Sequence, residues 1–209
     1  MNSLRHLIKD IGAYLIALCV VLSTSQMALS EAVVGNQAPQ FTAKDSTGKE
    51  ISLQSLKGKV VVLEWFNPNC PFVKKFYKNG DMPRFQKDLG GKGVVWLTIA
   101  SSAPGKHGHL TAEQAEVIRG DLEMKSASLV LDESGEVGRA YGARTTPHMF
   151  VISPDGTLAY AGAVDSESST DADDIPKAKN YVIDAADSLL ANRPVEVSST
   201  EPYGCSVKY

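Results

Sequence analysis

Lys59 to Trp65 is a nearly continuous apolar and β-branched run, bounded by Gly58 on one side and Asn67-Pro68 on the other. It predicts a strand buried on both faces, because a half-exposed strand would alternate polar and apolar residues. Helical signals follow from Pro71 to Tyr77, break at Asn79-Gly80 and resume from Asp81 to Leu89. Gly93 to Ala100 is a second buried strand. Strand, helix and strand in that order predict a right-handed parallel crossover and an α/β core. Ahead of it, Phe41-Thr42-Ala43 and Ile51-Ser52-Leu53 flank the turn Ser46-Thr47-Gly48-Lys49, the pattern of a leading hairpin. Downstream, Thr111 with Glu113 and Gln114 opens a helix to about Lys125, Ser128 to Leu131 is a third strand, and a helical turn reaches Tyr141. Met149 to Ile152 and Thr157 to Tyr160 surround Ser153-Pro154-Asp155-Gly156 and predict an antiparallel hairpin. The acidic, serine-rich stretch 165–174 reads as an exposed loop before a last helix from about Lys177 to Leu190.

The first thirty residues follow a different pattern. Arg5 and Lys9 precede an apolar stretch from Ile11 to Leu22, a polar patch, and Ala28-Leu29-Ser30. This predicts a cleavable signal peptide over 1–30, a folded domain over 31–200 and a cysteine-bearing tail over 201–209. The apolar stretch is shorter than the roughly 20 residues a spanning helix needs, so no stable membrane association is expected after cleavage. The expected location is periplasmic or secreted. The net charge of -3, with scattered lysines and arginines, offers no electrostatic footprint for nucleic acid. Cys19 leaves with the signal, and the mature chain keeps Cys70 and Cys205.

Cys70 carries the candidate chemistry. It lies where a buried strand hands over to a helix opened by Pro71, and the free N–H groups and dipole of a helix start favour thiolate over thiol. Cys205 sits in a glycine-flanked tail expected to be mobile, and is read either as a resolving partner or as half of a structural staple. Glu64, the one acid in an apolar run, is expected to be buried with a raised pKa, able to take or return a thiol proton. Asn67 and Asn69 are first of all turn formers, with amides placed to polarise a bound peroxide or disulfide. Lys74 and Lys75 read as a solvated helix face, and Arg144 either as a surface charge or as a cation lowering the thiol pKa. His107, His109 and His148 lack metal-site spacing, and 165–174 lacks the ligand order of a calcium loop.

The parallel crossover, the later antiparallel hairpin, Cys70 at the first helix and Thr146-Pro147 before the hairpin together resemble the thioredoxin fold. Glu64 to Lys75, Ser101 to Lys106, Arg144 to His148 and Gly204 to Tyr209 are similar to the redoxin branch, the alkyl hydroperoxide reductase and thiol-specific antioxidant family. The resemblance spans roughly Val34 to Ala191 and implies a central mixed sheet flanked by helices. It places Cys70 at the first cysteine of the thioredoxin pair, Val73 at the second, Glu64 at the buried acid and Pro147 at the cis-proline facing the thiol. Asn67 and Leu63 stand where peroxiredoxins carry a threonine or serine and a proline. The resemblance implies catalytic roles for Cys70, Cys205, Glu64 and Pro147, and substrate contacts from Asn67, Asn69, Thr146 and Arg144, with no metal and no cofactor. The activity expected first is peroxide reduction by Cys70, resolved by Cys205 and regenerated by an external thiol or thioredoxin-like donor. One alternative is an exported oxidoreductase acting on protein disulfides; another is a redox-inactive binding module with a Cys70–Cys205 staple.

Overall fold

The leading hairpin forms as expected: β1 (Thr42–Lys44) and β2 (Glu50–Ser52) pair antiparallel. The Asp45 carboxylate closes the turn by accepting from the backbone N–H groups of Thr47 (2.9 Å) and Lys49 (3.0 Å). The structure, a computed structural model, describes residues 32–209, so the expected signal segment lies outside the described residues. Next come β3 (Val61–Trp65), α1 (Pro71–Lys78), α2 (Asp81–Gly91), β4 (Val95–Ala100), α3 (Ala112–Asp121) and β5 (Ser128–Leu131). The chain then forms α4 (Glu136–Ala140), β6 (Thr145–Thr146), β7 (His148–Ile152), β8 (Leu158–Gly162), α5 (Tyr181–Leu190) and β9 (Cys205–Ser206).

Five strands make one mixed sheet in the order β5-β4-β3-β7-β8. β3 lies at its centre, parallel to β4 and antiparallel to β7, and all five of its residues are buried. This is the thioredoxin-like arrangement expected of the chain. Strand alternation divides β3 between two cores. Val61, Leu63 and Trp65 pack with Leu97, Ile99, Phe150 and the hairpin residue Ile51, while Val62 packs with Val73, Phe76, Phe85 and Val182 from α1, α2 and α5. Glu64 shares the parity of Val62, and its register partners are Thr98 in β4 and Met149 in β7.

Several boundaries differ from expectation for local reasons. β4 starts at Val95 rather than Gly93, because Gly93 takes the left-handed conformation (φ 89) that closes the turn after α2. The helix opened by Thr111 forms as expected, with a capping box between Thr111 and Gln114, yet ends at Asp121, and Glu123 adopts φ 49. The last helix begins at Tyr181 rather than Lys177. Residues Ala172–Lys177 form a 3-10 turn containing Pro176, and Asn180 caps α5 by accepting from the Ile183 N–H at 3.0 Å.

Leu63 is completely buried on the central strand. Leu63→Ala should lower the unfolding free energy by about 2–5 kcal/mol, measured by denaturant titration with an unchanged slope. A loss below about 1 kcal/mol would show that this face can collapse around the void.

Candidate active site

Cys70 occupies the N-cap of α1 and Pro71 the first helical position, as the strand-to-helix junction predicts. The residue is fully buried, at 0% exposure. Its thiol donates to the Thr146 carbonyl at 2.9 Å. Thr146 precedes the cis peptide bond to Pro147, so the loop before β7 lies directly on the sulfur.

Thr146 also belongs to a two-stranded pairing absent from the sequence-based picture. β6 pairs antiparallel with β9, setting Thr145 opposite Ser206 and Thr146 opposite Cys205. The pairing is close enough to require glycine at 204. Gly204 has φ 135, and a Cβ there would collide with the Thr146 carbonyl oxygen, the same atom that accepts the Cys70 thiol. The tail therefore brings Cys205 beside Cys70, whose own helix offers no second cysteine at Val73. Both cysteines are free thiols.

The two thiols are tuned in opposite directions. Burial opposes charge on Cys70, but hydrogen bonds from the Cys205 thiol, Thr146, the Cys205 backbone and the Val73 N–H outweigh it and hold its pKa below the ordinary thiol value. Cys205 is pushed up to about 11 by its own burial and by the neighbouring Cys70, against a smaller opposing influence from Lys208. The surroundings thus favour charge on Cys70 over charge on Cys205.

Glu64 is completely buried, as anticipated, and burial raises its pKa despite four donors. Trp96 Nε1 (2.8 Å), Tyr77 Oη (2.9 Å), Gln86 Nε2 (3.1 Å) and Thr98 Oγ1 (3.2 Å) surround the carboxylate. Gln86 is oriented for this by accepting through Oε1 from the backbone N–H groups of Lys125 and Ser126. Cys70 is not among the partners of Glu64. Tyr77 lies on α1 seven residues past Cys70, about two helical turns away.

Other expectations are revised. The tail is tied down, not mobile: Ala161 N–H donates to Ser198 O, Val207 N–H to Arg144 O and Ala103 N–H to Lys208 O. Tyr209 Oη donates to Ala143 O at 2.7 Å, and the Tyr209 ring lies against Gly135 and Gly138. Lys74 is exposed as expected, but Lys75 is 2% exposed and reaches Asp165 at 3.5 Å. Asp165 is likewise buried, so the acidic stretch is exposed only beyond it. Its carboxylate accepts from Tyr203 Oη and from the Glu167 N–H. Arg144 is exposed and pairs with Glu201, and it is not among the groups that shift Cys70. Asn67 is buried as a turn former: its Oδ1 accepts from the Asn69 N–H at 2.9 Å, while Asn69 itself is exposed. Among the described residues no group of three or more histidine, cysteine or acidic side chains is placed to hold a metal. Burial lowers the His148 pKa to about 3, aided by Arg144, and its Nδ1 accepts from the Arg144 N–H. Tyr203, Lys75 and Asp165 escape sequence reasoning because each acts through a partner distant in the chain. Gly204 beside Cys205 was the one local signal.

The AhpC/TSA family model matches residues 34–161, the segment that carries β1 to β7, most of β8 and Cys70. The chain belongs to the AhpC/TSA family. This AhpC/TSA member is 28% identical over 163 residues to the thiol-disulfide oxidoreductase ResA of Bacillus subtilis, covering 76% of this chain and 85% of ResA. It is 26% identical over 161 residues to the soluble secreted antigen MPT53 of Mycobacterium tuberculosis, covering 77% of this chain and 86% of the antigen. An uncharacterized conserved protein from Geobacillus kaustophilus superposes with a TM-score of 0.70 at 26% identity, over 85% of this chain and 92% of its own. Family membership, these relatives and the paired thiols make this AhpC/TSA protein a thiol-based oxidoreductase.

Two outcomes follow from the site. The folded Glu64 carboxyl holds its proton more tightly than in the unfolded chain, so its contribution to stability is full below the ordinary carboxylate range and is lost as pH rises through the raised value. The melting temperature of Glu64→Gln minus that of the parent should therefore grow as pH rises through this window; parallel melting curves would contradict the assignment. Gly204→Ala forces a side chain into a conformation costing about 1–3 kcal/mol, so amide exchange over residues 205–207 should quicken about tenfold or more. Unchanged exchange would mean that the strand tolerates a Cβ.

Proposed function

We propose that the protein is an exported thiol-disulfide oxidoreductase in which Cys70 attacks and Cys205 resolves. The observation that carries this reading is the strand pairing of Thr146 with Cys205, which brings the second thiol onto the first while the two pKa values move apart. The thiolate of Cys70 attacks one sulfur of a substrate disulfide, forming a mixed disulfide and releasing the other half as a thiolate that takes up a proton. Cys205 then gives up its proton and attacks the Cys70 sulfur, the remaining substrate half leaves as a thiol, and a Cys70–Cys205 disulfide remains. An external thiol donor reduces it by the same exchange, so two electrons pass from donor to substrate. A Cys205 pKa near 11 suits this order, because the resolving thiol does not compete for the first attack.

Pro147 and Thr146 shape the cradle: Thr146 holds the thiol through its carbonyl, and the Pro147 turn places that carbonyl on the sulfur. Glu64, on β3 and bonded to Tyr77 of α1, serves as a buried proton store and not as a direct partner of the thiol. Asn67 fixes the turn that presents Cys70, while Asn69 and Arg144, both exposed, are left to meet substrate at the rim. Export is supported by the pattern of residues 1–30 and by likeness to a protein named a secreted antigen. Among the described residues no helix is long and apolar enough to cross a membrane.

Peroxide reduction would use the same two cysteines with a sulfenic acid in place of the mixed disulfide, and family membership supports it. Intact mass separates the readings. Reduced parent treated with oxidised glutathione should lose two hydrogens, and Cys205→Ser should retain one glutathionyl adduct on Cys70. If disulfides leave both forms unchanged while hydrogen peroxide oxidises the parent and adds oxygen to Cys70 in the variant, the peroxidase reading replaces this one.

A further inference from the structure

Cys205 is clamped on both sides, and the two clamps differ in what they grip. Downstream, Val207, Lys208 and Tyr209 bond to Arg144, Ala103 and Ala143, none of which lies on the helix that Cys70 caps. Upstream, Tyr203 reaches that helix directly. Its ring lies 5.8 Å from the Phe72 ring, and the Lys75 ammonium lies 5.8 Å from the Tyr203 centroid. Its hydroxyl donates to Asp165, which also faces Lys75 at 3.5 Å, and Lys75 donates in turn to Glu167 O at 2.7 Å. Phe72 and Lys75 follow Cys70 by two and five residues, and Tyr203 precedes Cys205 by two. One cluster, with the buried pair Lys75 and Asp165 at its centre and the half-buried rings of Phe72 and Tyr203 around it, therefore joins the helix of the first thiol to the segment that carries the second.

The chemistry of the cluster suits orientation better than stability. A buried ion pair returns little net free energy, because desolvation offsets the attraction, but it fixes the direction of the groups bonded to it. The hydrogen bond from Tyr203 to a carboxylate is of the stronger, charge-assisted kind. Burial, followed by Asp165, raises the Tyr203 pKa, so the phenol stays a donor.

We infer that Tyr203, held by Asp165 and Lys75, is a positioning residue that fixes Cys205 against Cys70 and so sets how readily their disulfide forms. The inference rests on the resolving role proposed above for Cys205. The step it governs is exchange within one chain: Cys205 attacks the Cys70 sulfur of a glutathione mixed disulfide, the new disulfide forms, and glutathione leaves as a thiol carrying the proton from Cys205. Holding the two sulfurs together raises their effective concentration, which favours both the rate and the extent of closure.

The test uses the mature chain equilibrated with reduced and oxidised glutathione and analysed by mass after acid quenching. Tyr203→Phe keeps the ring and removes the bond to Asp165. It should lower the equilibrium constant for the Cys70–Cys205 disulfide about tenfold, equivalent to a potential about 30 mV less negative. Closure of the mixed disulfide should slow by a similar factor, with little change in the melting temperature of the reduced form. Asp165→Asn should shift the equilibrium in the same direction and serves if the first variant folds poorly. Tyr209→Phe, which loosens the downstream clamp, should stay within twofold of the parent. An unchanged equilibrium in Tyr203→Phe, or an equal change in Tyr209→Phe, would overturn the inference. A parent that forms no Cys70–Cys205 disulfide would overturn the resolving role itself, and with it the clamp.

Discussion

Everything distinctive about this site depends on two residue pairs of antiparallel backbone, β6 with β9. Without that pairing Cys70 would be a single thiol at the start of a helix, held by one carbonyl. With it, the carbonyl of Thr146 bonds the Cys70 thiol while the same residue stands opposite Cys205. The rest of the tail keeps this short ladder in place. A ladder this short contributes too little on its own to order a chain segment, since the net value of a hydrogen bond is about 1 kcal/mol against a similar backbone entropy per residue. The ladder persists because Thr200 bonds to Tyr160 and Ala163 before it, and Tyr209 bonds to Ala143 after it.

The electrostatics divide the active-site face into two regions with separate tasks. Near the tail, donors converge on one sulfur and favour its charge. On β3, Glu64 is fully buried and well bonded, yet holds its proton more firmly than an exposed acid. Both belong to the core face closed by α1, α2 and α5, and the central strand separates them from the Trp65 face. There the Trp65 Nε1 donates to Ser101, and Ser101 donates to Asp132. That second polar set joins β3 to β4 and to the start of α4, and it is structural.

The sheet, its mixed character and the place of Cys70 were legible because each rests on short-range signals. A buried run, a proline at the first helical turn and two hairpins with polar turns all act within a few residues. Lys75 shows where such signals fail. A lysine next to another lysine reads as solvated, and nothing nearby in the chain announces that Asp165, ninety residues on, will meet it in the interior. The tail escaped for a related reason: a two-residue strand has no periodicity, and its partner is equally short. Glu64 was readable as buried from its apolar neighbours, whereas its distance from the thiol was not, because that depends on which turn of α1 supplies Tyr77.

Cys70 has no exposed surface, although it is the thiol most disposed to carry charge. Readiness and access are therefore separate properties of this thiol, the first set by the donors around the sulfur and the second by its burial. An incoming molecule meets the Cys70 sulfur only in conformations that expose it. At low concentration its rate of reaction scales with the population of those conformations; at high concentration it reaches a ceiling set by the opening step, whatever the reagent.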